Sequence, residues 1–159
     1  MEQIWQMFVI SIYHMVTTEY YYCMNYEETA EKYFFSGCNC AQSVIMPFAE
    51  KFGVDTEKAF EIGSGLGGGI AGTNQHICGS ISGMMVVGGW IFGKWEGQEE
   101  KVAMTAFMNE LYHKFTDKYN ESTCDKLKAK IGKDVISPYT KECFVYVKKA
   151  VSILAEYVK

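Results

Sequence analysis

The chain has 159 residues, enough for one domain with a real buried core. It is 48% hydrophobic and 21% charged, an ordinary globular balance. A net charge of −4 leaves no electrostatic footprint for nucleic acid. All 15 basic residues are lysines, so no arginine is available to clamp phosphate or carboxylate bidentately.

The first residues read M-E-Q-I-W-Q-M-F-V-I-S-I-Y-H-M, with an acid at position 2, no Lys or Arg before Lys32 and no small-residue cleavage site. This is a poor secretory leader, and a cytoplasmic, reducing interior is expected. In such an interior, clustered cysteines are metal-binding or catalytic more often than bridged.

The periodicity predicts an all-α fold, one compact bundle of about six or seven helices. The first runs over 26–35, with Asn25 as N-cap, Glu27 and Glu28 in its first turn, and Ser36-Gly37 ending it. Asn39 caps a second helix over 40–52, kinked by Pro47 and stopped by Gly53. Asp55 caps a third over 56–64. The stretch G-S-G-L-G-G-G-I-A-G (63–72) matches G-x-G-x-x-G twice. A helix rather than a strand precedes it, however, and G-K-[ST] is missing, so a tight, closely packed loop is expected and not a nucleotide cradle.

A fourth helix is expected over 79–92, with Gly79 and Gly83 forming a notch for close backbone approach. The uncharged run 77–93 is just long enough to span a thin bilayer. Its glycines and serines, and a mean hydropathy of −0.07 for the chain, favour a buried central helix and no membrane. A fifth helix over 99–119 carries Met104, Phe107, Leu111 and Phe115 on one stripe. A short sixth starts near Thr123, with Ser122 and Thr123 as caps. The seventh has Ser137 as N-cap and Pro138 at its first position, and continues along a stripe from Cys143 to Val158.

Of the candidate chemistry, His14, His76 and His113 are scattered. His76, two residues before Cys78, is more naturally a solvated side chain than a ligand. The six cysteines, at 23, 38, 40, 78, 124 and 143, are more informative. Cys40, Cys78 and Cys124 each stand at a helix start, where free N–H groups and the helix dipole favour thiolate. Cys143 lies in the second turn of the last helix, on its apolar stripe. Thiolate is the form that binds metal and the form that attacks disulfides. No C-x-x-C is present, so any shared site must be assembled by tertiary packing, and the spacing does not choose between metal and thiol chemistry.

The ordered motifs F-x-x-G-x-N-C-A-Q-S-V (34–44), G-x-G-G-G, C-G-S-x-S-G (78–83), C-x-x-L (124–127) and a last Cys143 resemble the redox-active protein family named for its cysteine pattern, C-GCAxxG-C-C. The resemblance runs from about Met24 to the C-terminus. It implies a small helical protein with four characteristic cysteines, here Cys40, Cys78, Cys124 and Cys143. A related domain in split-Soret-type cytochromes has an iron–sulfur cluster associated with its cysteines; without C-x-x-C-H, covalent haem is not expected here. Two departures stand out. Ser80 replaces the family's usual Ala, a small-for-small change. Cys38 stands where an aromatic is more usual, as an extra residue or a resolving thiol beside Cys40. Met24-Asn25-Tyr26-Glu27 looks like a family start, so residues 1–23 are expected to be a weakly packed extension or a mis-assigned start, and 24–159 the four-cysteine redox domain.

The leading expectation is therefore an intracellular redox protein whose Cys40, Cys78, Cys124 and Cys143 ligate an iron–sulfur cluster for electron transfer to an unidentified redox partner. Two others stand beside it. One is a metal-free thiol–disulfide oxidoreductase with Cys40 and Cys78 as catalytic thiols, Cys40 attacking. The other is a non-catalytic helical module with a structural zinc site or merely buried cysteines. A homodimer is compatible with a bundle of this size.

Overall fold

The computed structural model describes residues 26–132 and 140–158. The expected N-terminal extension, the Asn25 cap, and Ser137 and Pro138 lie outside the described residues. Among those described, the protein is all-α: α1 (26–35), α2 (Cys40–Ala49), α3 (Thr56–Ser64), α4 (Gly79–Phe92), α5 (Gln98–Tyr119), α6 (Cys124–Lys130) and α7 (Phe144–Ala155), the last entered through a 3₁₀ turn, Lys141–Cys143. A single isolated bridge, Ile77 antiparallel to Thr123, is the one strand-like contact among the described residues. No helix there is long and apolar enough to cross a membrane.

Local chemistry sets most of these boundaries. Asn39 forms a capping box with Gln42: its Oδ1 accepts from Gln42 N at 2.9 Å, while Gln42 Oε1 accepts from Asn39 N at 3.0 Å. Asp55 Oδ1 accepts from Lys58 N at 3.0 Å and starts α3. The second helix ends at Ala49, three residues short of the expected Phe52. Pro47 sits two residues before that end, and Gly53 (φ +63°) lets Val54 N donate back to Ala49 O at 2.9 Å.

The seventh helix also departs from expectation. Thr140 is extended (φ −106°, ψ 112°), so no helix runs through it from Pro138. The chain turns at Lys141 and becomes α-helical at Phe144. Cys143 is therefore the N-cap of α7 and not a residue of its second turn.

The core is built from α2, α4, α5 and α7. Val44, Ile45 and Phe48 meet Ile81, Met84 and Val87, with Leu111, Phe115, Val147, Val151 and Leu154 closing the far side, all fully buried. Each such side chain contributes about 1.5–3 kcal/mol on burial. The expected notch on α4 exists. A Cβ at Gly83 would stand 2.8 Å from Ala41 O, so α2 crosses there at backbone contact. Tyr146, also buried, donates from its hydroxyl to Leu127 O at 2.7 Å and ties α7 to α6.

Candidate functional site

All four family-pattern cysteines stand at helix starts. Cys40 is the first residue of α2, Cys78 the N-cap of α4, Cys124 the first residue of α6 and Cys143 the N-cap of α7. Cys78, Cys124 and Cys143 are buried, and Cys40 and Cys38 are half-buried. None of these five is in a disulfide.

The bridge at Ile77 and Thr123 sets two of them side by side. Cys78 N donates to Ser122 O at 2.8 Å and Cys124 N to His76 O at 2.9 Å, so the α4 and α6 starts are stitched backbone to backbone. His76 thus contributes a carbonyl, and its side chain is exposed. The α6 cap differs from the expected one. Thr123 makes no side-chain cap bond; instead the Glu121 carboxylate accepts from Ser122 N (2.8 Å) and Thr123 N (2.9 Å), which holds its pKa down at about 2.

The glycine-rich stretch is the tight loop expected, and it is the floor of the site. A Cβ at Gly79 would lie 3.0 Å from Cys40 Cβ and 3.0 Å from Gly67 Cα, and a Cβ at Gly69 would lie 2.8 Å from Cys124 Cβ. Only bare backbone lets these cysteines come so close. From Gly68 to Gly72 five consecutive residues have positive φ, including Ile70 (+61°) and Ala71 (+52°), followed by Asn74 (+63°). A β-branched residue in that region is strained, at about 1–2 kcal/mol. Hydrogen bonds from Asn74 N to Gly68 O (2.8 Å) and Ala71 N to Gly65 O (2.9 Å) hold the loop in this shape.

The loop delivers two residues that sequence reading passed over. Asn74 is buried, and its Oδ1 accepts from two donors at once: the Cys124 thiol at 3.8 Å and Lys128 Nζ at 2.7 Å. Lys128 is 2% exposed, a buried ammonium one helical turn beyond Cys124. In sequence its only mark is that spacing. The i, i+4 relation on a short helix puts a cation on the cysteine's face.

Electrostatically the four thiols form one set. Ionisation of Cys40 is disfavoured first by burial, then by Cys78, Cys143 and Cys124, and its pKa rises well above the ordinary value. Burial and then Cys78 push Cys124 up to about 11. Burial, then Cys78 and Cys124 among the charges, push Cys143 up to about 12. Every pair among the four is thus close enough to interact. Lys128 acts in the opposite sense on each of the four. Cys78 is raised by burial, while the Ser80 and Ile81 N–H groups at the α4 start act in the opposite sense, as the helix-start argument anticipates. Desolvation and mutual repulsion outweigh the dipole, so the metal-free thiols are neutral. The Ser80 hydroxyl is fully buried beside Cys78. By strict geometry it has no hydrogen-bond partner among the described residues, yet it too favours the Cys78 thiolate.

The donor set suits a thiophilic group: four cysteine sulfurs at helix starts, a glycine floor and a buried lysine. As they stand, no three or more His, Cys, Asp and Glu side chains among the described residues are arranged to hold a metal ion. A cavity of about 380 Å³, lined by Phe34, Phe35, Gly37, Cys38, Asn39, Cys40, Thr140 and Lys141, opens on one side of the set. Cys38 lines this cavity outside the group of four, its thiol raised by burial alone.

No curated protein and no solved structure matches the chain. A family model does, over residues 38–157, a span that begins just before Cys40, includes Cys78, Cys124 and Cys143, and covers well over half of the sequence. On that match the chain belongs to the family described as "Putative redox-active protein (C_GCAxxG_C_C)".

Proposed function

We propose that Cys40, Cys78, Cys124 and Cys143 are the thiolate ligands of an iron–sulfur cluster and that the protein is an electron carrier. When bound, such a cluster supplies one-electron transfer with no bond to substrate made or broken. The observation that carries the reading is the placement of all four cysteines at helix starts, three of them buried, with Cys40 and Cys124 packed against bare glycine backbone. A set of neutral thiols that repel one another on ionising is stable as thiolates only when positive charge is placed among them, and coordinated iron provides it.

The chain's own residues do the rest. The starts of α2, α4, α6 and α7 present the sulfurs, and the Ser80 and Ile81 N–H groups at the α4 start favour the anionic form of Cys78. Cys78 and Cys143 belong to the buried core, and the cavity lined by Cys38 and Cys40 is an open side of the set. A metal-free thiol–disulfide exchange needs a thiol ionising below its ordinary value, and all five described thiols are shifted upward. Anaerobic reconstitution with iron and sulfide, followed by absorbance and iron and sulfide analysis, tests the reading. A brown protein is expected, with loading abolished in C40S, C78S, C124S and C143S but retained in C38S. A colourless, iron-free wild type would overturn it.

A further inference from the structure

We propose that Lys128 is the charge-compensating residue of the four-sulfur site: its buried ammonium offsets the negative charge of the metal-bound thiolates, and Asn74 holds it there. The inference rests on the ligand reading above but adds a residue to it.

Lys128 is 2% exposed, whereas lysine ordinarily keeps its ammonium in water. Its Nζ donates to Asn74 Oδ1 at 2.7 Å, and that same oxygen lies 3.8 Å from Cys124 Sγ, so the cation and the sulfur meet at one atom. Asn74 is itself fixed by the loop, with positive φ, its N–H bonded to Gly68 O and its Cα against Gly69. The carbonyl of Asn74 accepts from Asp125 N at 2.9 Å, which pins it to the start of the helix carrying Lys128. The loop strain thus positions a single amide oxygen between a thiol and an ammonium.

The charge count explains why a cation belongs there. Four thiolates around one divalent ion leave a net charge of −2, and a buried site with that charge is costly. One ammonium among the ligands halves it.

The test uses the full chain, metal-free and reduced, titrated anaerobically with Co²⁺ alone and followed by the thiolate–cobalt charge-transfer absorbance. Wild type, K128M, K128Q and K128R are compared. K128Q retains a donor for Asn74 without the charge. The proposal expects K128M and K128Q to bind Co²⁺ at least about tenfold more weakly than wild type, and K128R to stay within about threefold. Helix content by circular dichroism serves as the folding control, and if K128M fails it, K128Q and K128R decide. Equal affinity for Lys128, Gln and Arg variants overturns the proposal while leaving the ligand reading intact. A wild type that binds Co²⁺ through all four sulfurs but takes up no iron and sulfide overturns the cluster reading and leaves Lys128 in place. A wild type that binds no Co²⁺ overturns both.

Discussion

Replacing Gly83 with Ala places a methyl group where α2 crosses α4. The new Cβ lies 2.8 Å from Ala41 O, 3.0 Å from Ala41 Cα and 3.1 Å from Val44 Cβ, all backbone or backbone-proximal atoms that no rotamer change can move. Overpacking of this kind costs about 1–3 kcal/mol. Ala in a helix regains about 1 kcal/mol over Gly, leaving a net loss of about 1–2 kcal/mol. Gly88, on the same helix, is the control. Its Cβ would meet Leu111 Cδ1 at 2.7 Å and Met108 Sδ at 3.1 Å, the ends of flexible side chains that can give way. Gly88→Ala is therefore expected to be neutral or up to about 1 kcal/mol stabilising. Equilibrium urea unfolding by circular dichroism should show a lower midpoint for Gly83→Ala at unchanged slope, and a midpoint at or above wild type for Gly88→Ala. If Gly83→Ala is as stable as wild type, or both substitutions cost the same, then α2 is not in backbone contact with α4.

Two further outcomes follow from single groups. The Glu121 carboxylate caps α6, and its pKa is lowered from the ordinary value to about 2 by the Thr123 and Ser122 N–H groups. Because the folded value is the lower one, its stabilisation is present above about pH 5 and fades as the pH falls toward 2. The melting-temperature gap between wild type and Glu121→Ala should therefore close over that range, and a gap constant down to pH 2 would refute the cap. Tyr146→Phe leaves the buried Leu127 carbonyl without its donor, at a cost of about 1–3 kcal/mol. Thermal unfolding reads this directly, and a melting temperature equal to wild type would show that the bond does not tie α7 to α6.

Much of the bundle was legible because its signals are local. Asn39 and Asp55 cap through their own next turn, α4 is bounded by Gly79 and Gly93, and Gly83 recurs one turn after Gly79. The seventh helix misled because Ser-Pro is a strong start signal, whereas the extended Thr140 breaks the run and moves the start to Cys143. Cys143 consequently joined the other three at a helix entrance, which no period count reveals. The protonation state of the sulfurs was also hidden. Helix-start position is a sequence property and favours thiolate, but burial and the company of three other thiols come only with the tertiary fold and outweigh it. Lys128 read as one lysine among fifteen until packing removed it from water. The left-handed path from Gly68 to Gly72 could be suspected from the glycines but not from Ile70 and Ala71, which are carried along against their own preference.

The wide spacing of the sulfurs has a consequence for biosynthesis. Cys40 emerges from the ribosome roughly a hundred residues ahead of Cys143, a lead of about 5–20 s at ordinary elongation rates. Throughout that interval the early thiols sit on an unfolded chain with the ordinary acidity of about 8.5 and full access to oxidants. Completion of α7 then leaves Cys78 buried and Cys40 half-buried, and the ionisation of both is suppressed. For the buried Cys78 and Cys124 the fold is in this sense its own antioxidant, and their oxidation is expected on the nascent chain more than on the finished protein.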